Sequence, residues 1–283
     1  KSAGPDGIFP ALLQKGLEPL LLHLLHLFRA SLALGYIPES WRKVRVVYLP
    51  KPGRAKYDVA KDYRPISLSS FLLKTVEKLV DAYIRNGVLV SRPLHPFQHA
   101  YRAGMSTETA LHSLVCRLEK GMSSGGIALG AFLDIEGAFN NTTFDSISEA
   151  AESFGIDGSI VRWIRAMLES RVIISSIGMT EMSSSVTRGC PQGGVLSPLL
   201  WCLVLDGLLR ILNEGGAYTQ GYADDLAIVI TGKFPNTVKE LMQGALEQVD
   251  RWCSSHGLSV NPEKTEVVSF TNRRKADLAG LAL

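Results

Sequence analysis

A near-continuous apolar run places the strongest constraint on how this chain can fold. Residues 127–135 contain eight apolar or glycine positions and follow the pair Gly125-Gly126. A short apolar run bounded in this way predicts a strand buried in the middle of a sheet. Its one carboxylate, Asp134, stands near the end of the run, where burial costs energy unless something neutralises the charge. The sequence therefore predicts a central strand with an acid that needs a positive partner.

A second acidic feature, Tyr-Ala-Asp-Asp at 222–225, stands between the strand-forming segments 219–222 and 226–230. This pattern predicts a hairpin with both acids at its tip. Taken alone it also suits an ordinary turn, because Asp tolerates turn conformations and bonds its own backbone. Three acids gathered on adjacent strand ends would raise one another's pKa unless divalent cations lay between them. Oxygen ligands fit Mg²⁺, and two such ions about 3.5–4 Å apart can clamp an in-line phosphoryl displacement.

Apolar periodicity, capping residues and turn residues predict the remaining elements. The predicted helices are one between Pro19 and Gly35, one from Ser69 or Ser70 to Gly87, and others at about 107–120, 145–154, 160–170, from Ser197-Pro198, and from Pro235 to Gly257. The predicted strands are 44–49, a hairpin over 172–186 through Gly178, the hairpin around 221–230, and 267–270. Helices first, then strands mixed with helices, indicate an α+β protein without a clean boundary between two folds.

Basic residues are concentrated in one segment of the chain. Residues 42–64 contain eight basic and two acidic side chains, a net charge of +6 in a chain whose net charge is +3. This charge fits either a solvated basic face or a polyanionic partner such as a nucleic acid. Hydrophobic residues make up 46% of the chain, which excludes intrinsic disorder.

The start of the chain and its cysteines bear on its cellular setting. No uninterrupted apolar stretch reaches about 18 residues, which predicts no transmembrane span, and no basic–apolar leader opens the chain. The chain starts at Lys1 and stops mid-pattern after Leu283, which predicts an excised domain, and the absent leader predicts an intracellular location. Its four cysteines lack metal-site spacing and are expected to be small buried hydrophobes in a reducing compartment. His95 and His99 surround Pro96, which argues against a helical pair of metal ligands.

An ordered series of motifs over nearly the whole chain resembles the reverse transcriptases of non-LTR, LINE-like retrotransposons of the Jockey/I type. In chain order the motifs are AGPDG (3–7), an N-terminal extension; VYLPKPG (47–53) and YRPISL (63–68), fingers motifs; QHAYRAGMST (98–107), a template-facing segment; FLDIEGAF (132–139), motif A; GCPQGGVLSP (189–198), motif B; YADD (222–225), motif C; and GLSVNPEKT (257–265), motif D. Motif C alone is weak evidence, whereas motif B and the order of the set are highly specific. The match departs at Asn140, where many relatives carry aspartate, a position outside the metal-holding acids.

The resemblance implies a right-hand polymerase fold of the α+β class, with a palm made of an antiparallel sheet backed by helices. It implies a single reverse transcriptase domain over 1–283, with about 1–122 mainly fingers and about 123–270 mainly palm. A fingers insertion is expected near 145–188, and 271–283 would begin the connection to a thumb that is missing. Poor processivity of the isolated chain is expected for that reason.

The resemblance also implies the roles of individual residues. Asp134, Asp224 and Asp225 would hold two Mg²⁺ ions, for which Mn²⁺ could substitute, and Ile135 would lend its backbone carbonyl. The implied nucleotide contacts are Lys51 and Arg64 on the triphosphate, Phe139 beneath the sugar, and Gln192 with Gly193 near the nascent base pair. Lys264 would protonate the leaving pyrophosphate, and Gln98, Arg102 and Tyr222 would contact template or primer. The residues alone leave open that Phe139 is core packing, that 191–198 is a plain glycine-rich turn, and that Lys264 is an exposed lysine.

The implied function is RNA-directed DNA synthesis, in which deoxynucleotides join the 3′-hydroxyl of a DNA primer on an RNA template. The expected partners are the RNA template, a DNA primer or target DNA and dNTPs, without a membrane and with no particular oligomeric state. Relatives of this kind imply a nuclear location. Two other functions remain open. A catalytically silent RNA-binding remnant would use the basic segment and its tyrosines, and a metal-dependent nuclease would use the same acids for hydrolysis.

Overall fold

A computed structural model describes residues 3–53, 56–123, 125–177 and 180–272. The α-helices are α1 Pro10–Lys15, α2 Leu17–Leu34, α3 Glu39–Arg42, α4 Phe71–Tyr83, α5 Leu89–Ser91, α6 Thr107–Ser123, α7 Ala138–Asn141, α8 Phe144–Ser153, α9 Gly158–Glu169, α10 Ser197–Glu214 and α11 Pro235–Ser255. The strands are β1 Lys43–Pro50, β2 Tyr63–Leu68, β3 Ile127–Glu136, β4 Val172–Ile177, β5 Thr180–Ser185, β6 Tyr218–Tyr222, β7 Asp225–Gly232, β8 Ser259–Val260 and β9 Glu266–Thr271. Arg54 of the basic segment, the expected turn at Gly178 and most of the expected connection at 271–283 lie outside the described residues.

The chain divides into two compact units that interleave along the sequence. The first contains 1–92 and 142–200, and the second contains 93–141 and 201–283. Each unit has one sheet together with helices, so the predicted α+β class is confirmed. The assignment of particular ranges to fingers and palm stays a prediction.

The first unit is built on a four-stranded sheet in the order β2-β1-β4-β5. The pair of β1 with β4 is parallel, and the other neighbouring strands are antiparallel. Helix α9 contacts both α2 and α8. The indole N–H of the fully buried Trp163 donates a hydrogen bond to Ser31 Oγ at 3.0 Å, which fixes α9 against α2.

The second unit has β3 at the centre of its sheet. Strand β7 pairs with β3 along one edge, and β8 and β9 pair with it along the other. Because side chains alternate along a strand, Ala128 of β3 lies on the face that packs against α6 with Leu114 and Leu118. Asp134 belongs to the same alternating set as Ala128. The packing of this face of the sheet against α6 therefore supports the strand that carries Asp134.

Most helix boundaries follow the capping residues. Ser70 Oγ accepts the N–H groups of Leu72 and Leu73 at the start of α4, and Gly35 ends α2 with a left-handed φ of +61°. The expected helix end at Gly87 is wrong. There the chain continues through a π-helical turn, Ile84–Val88, into α5. Gly87 does not adopt the positive φ that would end the helix.

Three cysteines, Cys190, Cys202 and Cys253, are buried as expected, whereas Cys116 is exposed on α6. Among the described residues, one helix, α2, is long and apolar enough to cross a membrane by length and composition alone. This is weak evidence, because core helices and signal sequences have the same properties. The absence of a membrane partner stays a prediction.

Candidate active site

Strands β3 and β7 bring two of the predicted acids face to face in the second unit. The strands are antiparallel, and Asp134 pairs directly with Asp225 at the end of their register. Directly opposed residues of such a pair have Cβ atoms about 4.5–5.5 Å apart. Asp224 precedes Asp225, and its carbonyl accepts the N–H of Ile135 at 3.0 Å. The structure thus gathers the three acids at one end of a single sheet.

The turn that carries Asp224 is tight and strained. Tyr222 pairs with Asp225, which leaves Ala223 and Asp224 as a two-residue connection. Ala223 has a left-handed φ of +56°, a conformation that costs a non-glycine residue about 1–2 kcal/mol. The indole N–H of Trp201 donates to the Ala223 carbonyl at 2.7 Å. Helix α10 and strand β3 therefore both hold this turn in place.

Lys264 supplies a positive charge beside the acids. Its Nζ lies 3.0 Å from each carboxylate oxygen of Asp134. Although Asp225 is exposed as a residue, partial burial of its carboxylate raises its pKa, and the charges of Asp224 and Asp134 raise it further, while Lys264 lowers it. Asp134, Asp225 and Lys264 line one cleft of about 420 Å³. The site is an acidic cluster that a lysine only partly neutralises.

Asn261 ties Lys264 to the end of β3. Its N–H donates to the Asp134 carbonyl at 2.9 Å, and its side chain accepts the N–H of Glu263 at 3.1 Å. The second bond caps a short 3₁₀ turn, Pro262–Lys264. The position of the ammonium group therefore follows from backbone contacts as well as from its ion pair with Asp134.

The donor chemistry of this cluster fits a hard divalent cation. Carboxylate oxygens are the ligands that Mg²⁺ prefers, and the charges of Asp224 and Asp134 add to the effect of partial burial in raising the pKa of Asp225. Within the described ranges, however, no three Asp, Glu, His or Cys side chains stand in a ready metal-binding arrangement. The Asp134 carboxylate is held by Lys264 through both oxygens. The residues fit the ion by donor type and by backbone position, although the Asp134 carboxylate is paired with Lys264.

Phe139 lies directly beyond motif A, in the short helix α7. Its ring centroid is 6.3 Å from those of Tyr101 and Trp201, and the side chain is half-buried. Gly137, with a φ of +68°, turns the chain from β3 into this helix, and a Cβ there would overlap the Asn141 side chain. The placement leaves both a steric role toward a sugar and ordinary packing open.

The predicted template or primer contacts, Gln98, Arg102 and Tyr222, also lie in the second unit. Gln98 is buried, and its amide donates to the Cys202 carbonyl at 3.1 Å. The Arg102 guanidinium donates to the carbonyls of His95 and Gln98 at 2.6 and 3.0 Å. These two side chains hold the 95–102 loop in shape, and Tyr222 is half-exposed beside the acids. Their contact with nucleic acid stays a prediction.

The predicted nucleotide contacts of the first unit lie at the two ends of β2. Arg64 of β2 pairs with Leu49, two positions before Lys51, so both basic residues lie at one end of the β1–β2 ribbon. At the other end of β2, the Ser67 N–H donates to the Gln192 carbonyl at 2.7 Å. Gly193 has a φ of +108°, and a Cβ there would lie 3.0 Å from the Ser67 carbonyl oxygen. A glycine is needed at this position for both reasons.

Sequence reasoning missed two residues that shape these sites. Trp201 lies in a helix whose apolar sequence predicts burial but gives no sign that its N–H would hold the acidic turn. Glu77, on the buried face of α4, accepts the N–H of Val195 at 2.6 Å. The sequence did hold a signal for Glu77, because a charged residue at an apolar position of a helix must have a partner when it is buried.

Comparison with known proteins gives consistent matches. The model of the family described as reverse transcriptase (RNA-dependent DNA polymerase) matches residues 49–281. The RNA-directed DNA polymerase from mobile element jockey of Drosophila melanogaster is 27% identical over 90% of this chain and 28% of its own length. A retrovirus-related Pol polyprotein from type-1 retrotransposable element R1 of Bradysia coprophila is 29% identical over 98% of this chain and 27% of its own length. The chain therefore spans between about a quarter and a third of these relatives.

Among solved structures, apo telomerase from Candida tropicalis truncated from its C-terminal domain superposes with a TM-score of 0.59 and 15% identity. The match covers 89% of this chain and 56% of the telomerase chain. It supports the fold alone, and the predicted right-hand polymerase fold is confirmed. From motif order, strand register and family match together, the chain belongs to the reverse transcriptase (RNA-dependent DNA polymerase) family.

Proposed function

We propose that this chain is the polymerase part of a non-LTR retrotransposon protein and adds deoxynucleotides to a DNA primer on an RNA template. The direct pairing of Asp134 with Asp225, with Asp224 in the adjoining turn, carries this proposal. The names of the jockey and R1 relatives support it. The partners are an RNA template, a DNA primer or target DNA and dNTPs, and action in the nucleus without a membrane is part of the same proposal.

In this proposal the chain's residues mainly align the nucleotide and primer and neutralise the charge of the phosphates. Asp134, Asp224 and Asp225, with the carbonyl of Ile135, would hold two Mg²⁺ or Mn²⁺ ions, which supply charge stabilisation of a transferring phosphoryl group. Lys51 and Arg64 would hold the triphosphate, the guanidinium as a fork and the ammonium as a point charge. Lys264 would leave Asp134 and donate a proton to the leaving group. Transfer then depends on alignment more than on a side-chain nucleophile.

Primer extension tests the proposal. The wild type, the Asp224→Asn variant and the control Asp250→Asn, an exposed acid on α11, are incubated with Mg²⁺, dNTPs and a labelled DNA primer on RNA. We expect extension by the wild type and the control and none by Asp224→Asn. Shortened strands would favour a nuclease, and binding without turnover would favour a silent remnant.

Phe139→Val is expected to raise the ratio of ribonucleotide to deoxynucleotide incorporation by about tenfold or more, since a smaller side chain would remove a steric barrier. The ratio is measured by single-nucleotide extension with each nucleotide type. Phe234→Val, at an exposed phenylalanine, serves as control. Unchanged sugar selectivity in Phe139→Val would refute the steric role and leave Phe139 as packing.

Nucleic acid binding is expected to weaken steeply with salt. The basic segment presents exposed side chains, Lys43, Arg45, Lys56, Lys61 and Arg64, and phosphate contacts by such residues release counterions. Between 50 and 200 mM salt we expect the Kd for a primer–template duplex to rise by about tenfold or more. Arg45→Ala should flatten the slope, and Lys239→Ala on α11 should not. An affinity that ignores salt would contradict phosphate-dominated binding.

A further inference from the structure

Two buried side chains of opposite charge hold the two ends of the motif B loop, residues 189–196. Arg171 is 5% exposed, and its guanidinium donates to the carbonyls of Leu168, at 2.9 Å, and Gly189. Glu77 is 1% exposed, and its carboxylate accepts the N–H of Val195 at 2.6 Å. Both residues belong to the first unit, as the loop does. The clamp, as we call Glu77 and Arg171 together, thus holds the first residue of the loop, Gly189, and its next-to-last residue, Val195.

Between these ends the loop is fixed to β2 and to itself. The Gln192 carbonyl accepts the N–H of Ser67 at 2.7 Å, and the Pro191 carbonyl accepts from Gly194 N–H at 2.9 Å and Ser197 Oγ at 2.8 Å. The loop belongs to no helix or strand, so no regular ladder maintains its shape. Its conformation depends on a few specific hydrogen bonds, and those of the clamp are the ones made by buried charges.

The charges of the clamp are costly for the fold. Burial raises the pKa of Glu77, while the amides of Val195 and Leu196 and the cations Lys74 and Arg171 lower it. Its second oxygen, Oε1, has no hydrogen-bond partner among the described residues. An apolar side chain of similar size often gives equal or greater stability at such a position. Simple stabilisation of the core is therefore a poor reason for a carboxylate here.

We propose that Glu77 and Arg171 are positioning residues that hold the 189–196 loop in the shape in which Gln192 and Gly193 meet the incoming nucleotide. Neither residue touches the nucleotide in this role. They act through the loop backbone, and the clamp sets nucleotide affinity more than the rate of transfer. This inference rests on the proposed function for its nucleotide part and stands on the loop contacts alone for its structural part.

Cys190 provides a readout of the loop that needs no activity. It lies next to Gly189 and is buried, and burial raises the pKa of its thiol to about 12, so alkylation should be slow while the loop is held. In a Cys116→Ser background, which removes the exposed thiol, alkylation at Cys190 is measured by mass spectrometry. Cys202 and Cys253, both buried in the second unit, report global unfolding.

We expect Glu77→Leu and Arg171→Met to speed alkylation of Cys190 by about tenfold or more, the effect of losing one charge-assisted hydrogen bond, with Cys202 and Cys253 unchanged. Glu77→Gln keeps an acceptor for Val195 and should restore slow alkylation. Glu149→Leu, an exposed glutamate on α8, is the matched control. Equal acceleration at all three thiols, or none, would overturn the clamp.

The nucleotide part is tested by steady-state extension with the same variants. Glu77→Leu should raise the KM for dNTP by about tenfold with kcat changed much less, and Glu77→Gln should recover most of it, because uniform loss of binding affects KM first. Faster alkylation of Cys190 together with an unchanged KM for dNTP would overturn the positioning role and would leave the proposed polymerase function standing. A wild type without activity would refute the proposed function, and Cys190 would still decide the clamp.

Discussion

Replacing Asp225 with asparagine is expected to lower primer extension by at least about a thousandfold and to raise the melting temperature of the metal-free protein. The carboxylate is partly desolvated and lies opposite Asp134 and next to Asp224, so its charge is unfavourable when no cation is bound. Asparagine keeps the size and removes the repulsion. Because Asp225 is exposed, solvent screening should limit this relief to about 0.5 kcal/mol, which would raise Tm by about 1–2 °C in a chain of this size.

Both effects are measured on one preparation, by extension in Mg²⁺ and by thermal unfolding in a chelator. Asp250→Asn on α11 is the control and should change neither quantity. A variant that loses activity and also loses stability would show that Asp225 supports the fold, which contradicts an acid kept at an energetic cost for metal binding. Retained activity would remove Asp225 from the reaction.

Asp206→Ala is expected to cost about 2–4 kcal/mol of stability and to lower Tm by about 5–10 °C. Asp206 is 1% exposed on α10 and accepts the His95 N–H and the Arg210 Nε, each at 2.5 Å. Truncation leaves the His95 N–H without its acceptor and opens a void. The Arg210 side chain is 46% exposed, so its charge can return to water, which limits the loss.

The loss should also loosen the 95–102 loop that contains the predicted template contacts, because His95 anchors it. Asp206→Asn, which keeps one acceptor, should lose less than the alanine variant, and thermal unfolding measures both. The Arg210→Ala variant should also lose stability, because it leaves the buried Asp206 carboxylate without its cation. A loss in Asp206→Asn as large as in Asp206→Ala would place the stability in the ion pair instead of the His95 bond.

The acidic cluster could be predicted because strand patterns are local. An apolar run ending at Asp134 and a turn sequence at 222–225 fix two strand ends, and antiparallel pairing then makes Asp134 and Asp225 neighbours. The order of the family motifs supported the prediction that the three acids lie together, which periodicity alone does not contain. The helix caps at Ser70 and Gly35 were predictable for the same local reasons.

Contacts between distant segments could not be predicted in this way. The Trp201 N–H contacts the Ala223 carbonyl, 22 residues away in sequence, and Lys264 contacts Asp134, 130 residues away. The sequence around each residue gives no sign of its partner. Glu77 is the clearest example of a contact that its local sequence does not predict. Its position on α4 predicts burial, but not the Val195 amide whose hydrogen bond offsets part of the cost of burying the carboxylate. The predicted end of a helix at Gly87 was wrong for a different reason: a glycine allows a helix to end but does not require it.

The position of bound metal decides whether Asp134, Asp224 and Asp225 form a two-metal site. The measurement is anomalous scattering from Mn²⁺ in crystals of the protein with an RNA–DNA primer–template and a non-reactive nucleotide analogue. We expect two peaks about 3.5–4 Å apart, contacted by Asp134, Asp224 and Asp225, with Lys264 displaced from Asp134. Peaks elsewhere, or a Lys264–Asp134 pair that persists with no metal between the acids, would contradict it.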